Sequence, residues 1–313
     1  MIPDRNEEYF LYQTLLGAWP LEEADSHTRD SSERDEDFER RVQEYMVKAV
    51  REAKVHTRWT RPNEAHEAAL RNFVTAMLSR DAAAEFRADF DEFRESLAYF
   101  GMVNGLSQTL LKMTCPGVPD FFQGSELWDL RLVDPDNRGP VDFAKRMAAL
   151  KDLEEEVTGS LAEKGMEKAR ELVSHWEDGK IKLFLIRKAL GFRRQHAALF
   201  ANGEFLPAEA RGPAAENVVA FFRRHEKDWS LSVMPRWLAR DKSKGGVRWR
   251  DTTIVLPKDA PEEWSNVLTG AQSRVRVQDG EQVRDPERLL DVEELFGDFP
   301  VALLGSVESL GAV

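Results

Sequence analysis

The chain has 313 residues, 42% of them hydrophobic, with 44 basic against 56 acidic side chains and a formal charge of −12. That length fits one or two domains with a real core, and the acidic balance argues against nucleic acid, whose phosphates want basic surfaces. No apolar run approaches the ~18 residues of a membrane span, the start is polar within a few residues and does not resemble a secretory signal, and the single Cys115 excludes an intramolecular disulfide. The expectation is a soluble, cytoplasmic protein, monomeric or weakly associating, with no membrane partner.

In chain order, a helix is predicted over 6–18, opened by Asn6, with Glu7 and Glu8 at its positive end. Residues 21–37 are dense in charge and Ser and read as a solvated loop. Phe38, Val42, Tyr45, Met46 and Ala49 recur at helical spacing, which predicts a helix over about 35–54. Pro62 opens the next helix, with Thr60 as its cap. Phe86, Phe90, Phe93, Leu97 and Phe100 step by three and four, marking a helix over about 84–99, and another follows at 102–113. Residues 116–124 supply one short strand that empties into a loop.

Residues 142–200 are helical again, with Glu154, Glu155 and Glu156 on a solvated face. Ile181, Leu185, Ala189 and Phe192 form the apolar stripe of a helix over about 178–195. From about 203 the pattern changes to short alternating runs between turns: 204–207, 217–223, 229–235, 251–256, 265–269 and 274–278. Phe205, Val219, Phe221, Leu231, Val233, Ile254 and Leu256 are the expected inward faces. A short helix near 291–296 and a strand at 300–304 follow. The division is a helical region, 1–202, and a β domain, 203–313.

The most informative segment is Cys115-Pro-Gly-Val-Pro-Asp-Phe-Phe-Gln-Gly-Ser-Glu-Leu-Trp-Asp-Leu-Arg-Leu-Val-Asp-Pro-Asp-Asn-Arg-Gly-Pro-Val-Asp142. Gly and Pro punctuate it with turns. A plain surface loop has no need of Phe121, Phe122 and Trp128. A plain core strand has no room for Asp120, Glu126, Asp134 and Asp136. A strand ending in a polar, aromatic-rimmed loop explains both, and sites on α/β scaffolds sit in such loops. Flat aromatic faces with dense acceptors suit a sugar. The same residues also suit a self-braced turn, with Arg138 pairing with Asp134 or Asp142. Other candidates are weaker. His56, His66, His175, His196 and His225 lack metal-ligand spacing, and Cys115 reads as a small buried hydrophobe. Arg236, Arg240, Lys242, Lys244, Arg248 and Arg250 around Trp237 and Trp249 make either a ligand patch or, more simply, a solvated hairpin.

The run from Pro116 to Asp129 resembles the loop after the last barrel strand in the α-amylase superfamily. Its continuation, Leu132 to Asp142, resembles the maltooligosyl trehalose synthases, the (1→4)-α-D-glucan 1-α-D-glucosylmutases. Pro3-Asp-Arg-Asn-Glu-Glu-Tyr-Phe-Leu-Tyr-Gln-Thr-Leu-Leu-Gly-Ala-Trp-Pro20, Arg61-Pro-Asn-Glu-Ala-His-Glu67, Arg193-Arg-Gln-His-Ala-Ala-Leu-Phe200, Val218-Val-Ala-Phe-Phe-Arg-Arg-His225 and Asp298-Phe-Pro-Val-Ala-Leu-Leu304 agree with it. Phe122 stands where the family pattern has Tyr, and Gly139 where a second basic residue is common. The resemblance implies an α+β chain: a helical body carrying the last strand and helices of a (β/α)8 barrel, then an antiparallel β-sandwich. It covers only the C-terminal part of the enzyme.

Such an enzyme turns the reducing-end α-1,4 bond of a maltooligosaccharide into an α,α-1,1 bond and needs no cofactor or metal. Retention needs two carboxyl groups ~5 Å apart. This sequence has no Arg-x-Asp-His motif and no His-Asp pair, so no catalytic residue is assigned. The resemblance makes Gln123, Glu126, Trp128, Asp134, Asp136, Asn137 and Arg138 substrate-binding positions. The implied partners are an α-glucan and an upstream barrel domain or polypeptide. The alternative is a non-catalytic glucan-binding or assembly module that complements a separate barrel polypeptide.

Overall fold

The computed structural model describes residues 2–21, 31–79, 81–155, 161–240, 247–278 and 286–307. The elements run in the order α1 (Arg5–Ala18), α2 (Ser31–Ala53), α3 (Glu64–Leu78), α4 (Ala84–Thr114), α5 (Phe143–Glu155), α6 (Leu161–Ser174), α7 (Lys180–Gln195) and α8 (Ala197–Asn202). Strands follow: β1 (Glu204–Pro207), β2 (Glu209–Arg211), β3 (Val218–His225), β4 (Asp228–Pro235), β5 (Thr253–Val255), β6 (Glu263–Asn266), β7 (Gln272–Arg274), β8 (Arg276–Gln278) and β9 (Glu287–Asp291). The short α9 (Val292–Leu295) and strand β10 (Ala302–Ser306) come last. Among the described residues no helix is long and apolar enough to cross a membrane.

The chain forms two compact units: Met1–Leu97 with Asp129–Val141, and Ala98–Trp128 with Asp142–Val313. The change from helix to strand at 202–204 lies inside the second unit.

In the first unit, α1 is capped by Asp4 rather than Asn6. Asp4 accepts from the Asn6 and Glu7 amides, both at 2.9 Å, and Glu7 accepts from the Asp4 amide at 2.9 Å. This reciprocal capping box outcompetes a lone Asn because it satisfies orphan amides from both sides. Helix α2 already runs at 31–37, which was expected as loop, while 22–30 lie outside the described residues. Asp35, Glu36 and Asp37 are exposed on it, as on a solvated helical face. Asn63 caps α3 through the His66 amide, where Pro62 and Thr60 were expected to open it. Leu11, Leu15, Phe38, Val42, Met46, Leu70, Val74 and Phe90 make the core.

Helix α4 is continuous where two helices were expected. Gly101 costs the helix only about 1 kcal/mol, and Met102, Val103, Leu106, Leu110 and Met113 extend the apolar stripe behind it. The expected stripe of α7 is buried as read. Glu154 is exposed, and Glu156 lies outside the described residues.

All strand pairing is antiparallel. One sheet has the order β1-β3-β4-β10-β6-β7 and the other β2-β5-β9-β8. The six-stranded sheet is covered on both faces. Phe221, Met234 and Leu303 pack with α4 and α7 residues, while Phe222, Leu231, Val233 and Leu304 pack with Ile254 and Leu290 of the other sheet. Strand β4 is therefore buried along nearly its whole length instead of alternating. Of the expected inward residues, Phe205 and Val219 are not buried, and Phe205 is exposed on an edge strand. Strands β2 and β9 were not foreseen.

No strand forms at 116–124. A barrel strand is held by ladders on both sides, and among the described residues no neighbour pairs with this segment. Residues 116–142 are extended and turned, with a 3-10 turn at Asp136–Arg138. Cys115 is half-buried, not fully buried.

Candidate functional site

Residues 116–128 lie in the second unit. At their start, the Arg193 guanidinium donates to the carbonyls of Met113 at 2.7 Å and Gly117 at 2.5 Å. The Lys112 ammonium sits 3.8 Å from the centre of the Phe121 ring. Arg146 of α5 holds the middle of the segment, donating to Glu126 at 2.9 Å and to the Gly124 carbonyl. At the end, the Trp128 indole donates to the Trp176 carbonyl at 2.6 Å and meets that ring edge-on, centroids 6.3 Å apart. Lys182 reaches the Leu127 carbonyl and lies 5.7 Å from the Trp128 ring. Gln123 is exposed. Trp128 is thus a half-buried anchor that fixes where the segment leaves the unit. Glu126 is a braced carboxylate.

Gly179 makes this anchor possible. It enters α7 in the left-handed region, at φ +77°, and a Cβ there would come within 2.8 Å of the Trp128 backbone nitrogen. We expect Gly179→Ala to cost about 2–3 kcal/mol, of which roughly 1–2 is the left-handed backbone and the rest the forced contact. Urea unfolding followed by tryptophan fluorescence measures it. An unchanged midpoint with unchanged emission would show that the Trp128 anchor yields freely.

Residues 129–141 lie in the first unit and are braced by α2. Arg41 makes a two-pronged ion pair with Asp136, 2.8 and 2.9 Å, and also donates to the Leu130 carbonyl. The Leu132 amide donates to the same Asp136 carboxylate at 2.6 Å. Burial pushes the Asp136 pKa up, but the bonds from Arg41 and the Leu132 amide outweigh it and hold the group below the usual carboxylate range. Lys48 donates to the Asp134 carbonyl at 2.7 Å. Arg138 pairs with the Asp134 carboxylate at 3.0 Å, settling the choice between Asp134 and Asp142, and stays mostly exposed. The Asn137 side-chain oxygen is buried with no hydrogen-bond partner among the described residues.

The seven expected binding residues thus fall in two groups. Gln123, Glu126 and Trp128 lie on one braced segment, and Asp134, Asp136, Asn137 and Arg138 on one tight turn. The carboxylates of Glu126, Asp134 and Asp136 are engaged by Arg, so the self-bracing half of the sequence reading is realised at these three. The bracing cations Arg41 and Arg146 were not singled out, and Arg193 entered only as the start of a motif with no role given to it. Their partners lie far away in sequence. At the other basic cluster, the Arg236 and Arg240 guanidiniums stack on Trp237 at 4.0 and 3.9 Å, while Lys242 and Lys244 lie outside the described residues.

No protein-family model matches the chain. A Mycobacterium tuberculosis protein (strain CDC 1551 / Oshkosh), provisionally named a maltooligosyl trehalose synthase, is 33% identical over 305 residues, 96% of this chain and 32% of that protein. The solved maltooligosyltrehalose synthase of Arthrobacter ramosus is 30% identical with a TM-score of 0.70, covering 95% of this chain and 32% of its own. A further solved maltooligosyl trehalose synthase is 26% identical with a TM-score of 0.66, covering 97% and 34%. The chain spans about a third of the length of the relatives it matches. The braced 116–142 segment lies in a chain that matches these proteins nearly end to end, and the likeness read from its motifs recurs in sequence and in fold: the chain is a relative of the maltooligosyl trehalose synthases.

Proposed function

We propose that the chain is the C-terminal part of an intramolecular transglucosylase that converts the reducing-end α-1,4 bond of maltooligosaccharides into an α,α-1,1 bond. The observation that carries this reading is the end-to-end match to maltooligosyl trehalose synthases over only a third of their length. In this reading residues 1–202 contribute barrel helices and one wall of the substrate cleft, residues 203–313 form a β domain, and the protein works in the cytoplasm. Gln123, Glu126, Trp128, Asp134, Asp136, Asn137 and Arg138 wall the sugar site. An upstream barrel domain or polypeptide supplies the carboxylate pair that retention requires. Exposed apolar side chains support a missing partner. Val118 is 93% and Phe122 54% exposed, and Leu111, Phe143 and Met147 are exposed as well.

The alternative is a non-catalytic glucan-binding or assembly module. The internal pairing of Glu126, Asp134 and Asp136 favours its assembly form, because those carboxylates already have partners and are less available to a sugar.

The test is incubation of the purified chain with maltopentaose while reducing ends are followed. We expect no turnover alone, and turnover when the upstream barrel polypeptide is added. In the reconstituted enzyme, Trp128→Ala and Arg138→Ala should impair the rate more than Arg240→Ala. Turnover by the isolated chain would reveal an overlooked carboxylate pair. Equal tolerance of all three substitutions would reduce the 123–138 segment to a scaffold.

A further inference from the structure

The entry to α1 gathers more ligating chemistry than a helix cap needs. Asp4 and Glu7 each spend one carboxylate oxygen on backbone amides. Their other oxygens face imidazoles: Asp4 Oδ2 is 2.8 Å from His56 Nε2, and Glu7 Oε1 is 2.9 Å from His66 Nε2. The two imidazoles stack with centroids 4.8 Å apart and planes 26° from parallel. Glu7 and His66 are buried, while Asp4 and His56 lie near the surface and give a way in. One ligand atom from each of Asp4, Glu7 and His56 lies within 4.8 Å of the others. The two acids and the two histidines are 52 and 59 positions apart in their pairs, which is why the scattered histidines showed no ligand spacing.

We propose that Asp4, Glu7 and His56 form a zinc site, with His66 as the residue that positions Glu7. Tetrahedral zinc bound at 2.0–2.2 Å by N and O donors holds neighbouring donors about 3.4 Å apart. The close pair here stands at 2.8 Å and all three atoms fall within 4.8 Å. Movements under an ångström bring them to that spacing. The charge also fits. The two carboxylates bring −2, which a divalent cation cancels. Amides donating to the Asp4 and Glu7 carboxylates and His66 against Glu7 fix the ligands, as outer-shell groups do in zinc centres. Magnesium and calcium demand six or more oxygens, so an imidazole-bearing set favours zinc.

The test is a zinc titration of the chelator-stripped chain against a chromophoric chelator, with thermal unfolding alongside. One equivalent should bind saturably, with a raised Tm in zinc and no response to magnesium. Asp4→Asn keeps the N-cap, since Asn caps as well as Asp, but removes a charged ligand. His56→Gln keeps a hydrogen-bond donor and removes the ligand. Each should weaken binding by at least about tenfold and abolish the Tm rise, with circular dichroism unchanged. If Asn at position 4 loosens the helix, His56→Gln decides. Absence of saturable binding, or binding untouched by either substitution, overturns the site and leaves a helix cap with two carboxylate–imidazole pairs.

Discussion

Arg223→Met is expected to destabilise the second unit by about 3–5 kcal/mol. Arg223 lies on β3, is 2% exposed, and points its guanidinium at four backbone carbonyls. These are Thr114 at 3.3 Å, Phe200 at 3.0 Å, Gly203 at 2.9 Å and Glu204 at 3.3 Å. Thr114 ends α4, and Phe200 lies in the last turn of α8, so two of these acceptors are carbonyls that helix ends leave without partners. One planar fork therefore caps two helices and the start of β1. Burial pushes the Arg223 pKa down, yet a guanidinium stays protonated at any ordinary pH. Met matches the length and removes the desolvated charge, but it strands the acceptors, at about 1–3 kcal/mol for each one left dry. Arg223→Lys should recover only part of the loss, because an ammonium lacks the fork. Urea denaturation with a constant m-value gives the number. A loss under about 1 kcal/mol would mean that water satisfies the carbonyls.

Arg51→Met should cost about 3–5 kcal/mol in the first unit and reverse its response to acid. Glu67 is buried and accepts from Arg51 at 2.8 and 2.6 Å and from the Thr57 hydroxyl at 2.7 Å. The Arg51 bonds hold the Glu67 pKa below the usual range, against the upward push of burial, with Thr57 helping. A carboxyl whose pKa falls on folding stabilises the fold above its unfolded value, and that stabilisation fades as pH drops through the folded value. Asp136, also held low, has the same sign. The wild-type unit should therefore weaken below about pH 4, the ordinary carboxylate value. Without Arg51, burial dominates at Glu67 and raises its pKa. The variant should then gain stability as pH falls from 7 towards the carboxylate range, with Asp136 opposing only below it. Stability curves from pH 3 to 8 test this. Parallel curves would show that Glu67 does not sense Arg51.

What the sequence reveals follows from how local each signal is. The α7 stripe of Ile181, Leu185, Ala189 and Phe192 repeats at the helical period and needs no distant information. The alternation through β3 and β4 also identified strands, but it misplaced the face of Val219, because a sheet covered on both sides has no solvent face to reveal, whereas Phe205 is exposed because β1 is an edge strand. Strands β2 and β9 are three and five residues long and carry charges, so pairing alone makes them strands. The 116–124 segment has strand-like residues, but among the described residues no strand pairs with it. At the candidate site, residue types were legible and their restraints were not. Asp136 and Arg41 are 95 positions apart, and nothing near either one in sequence points to the other. The cap of α1 sat two residues earlier than the obvious Asn, because Asp4 has a reciprocal partner in Glu7.

Cys115 directly follows the Thr114 carbonyl that Arg223 holds, and it is the only sulfhydryl in the chain. It is half-buried, and burial raises its pKa while the nearby Arg223 charge pulls the other way. Thiolate is the reactive form, so alkylation is expected to be slower in the folded protein and to speed up when the end of α4 opens. The chain thus contains its own clock for that motion: its labelling rate times how often the helix terminus lets go of the guanidinium, with no dye, tag or engineered residue to disturb the count.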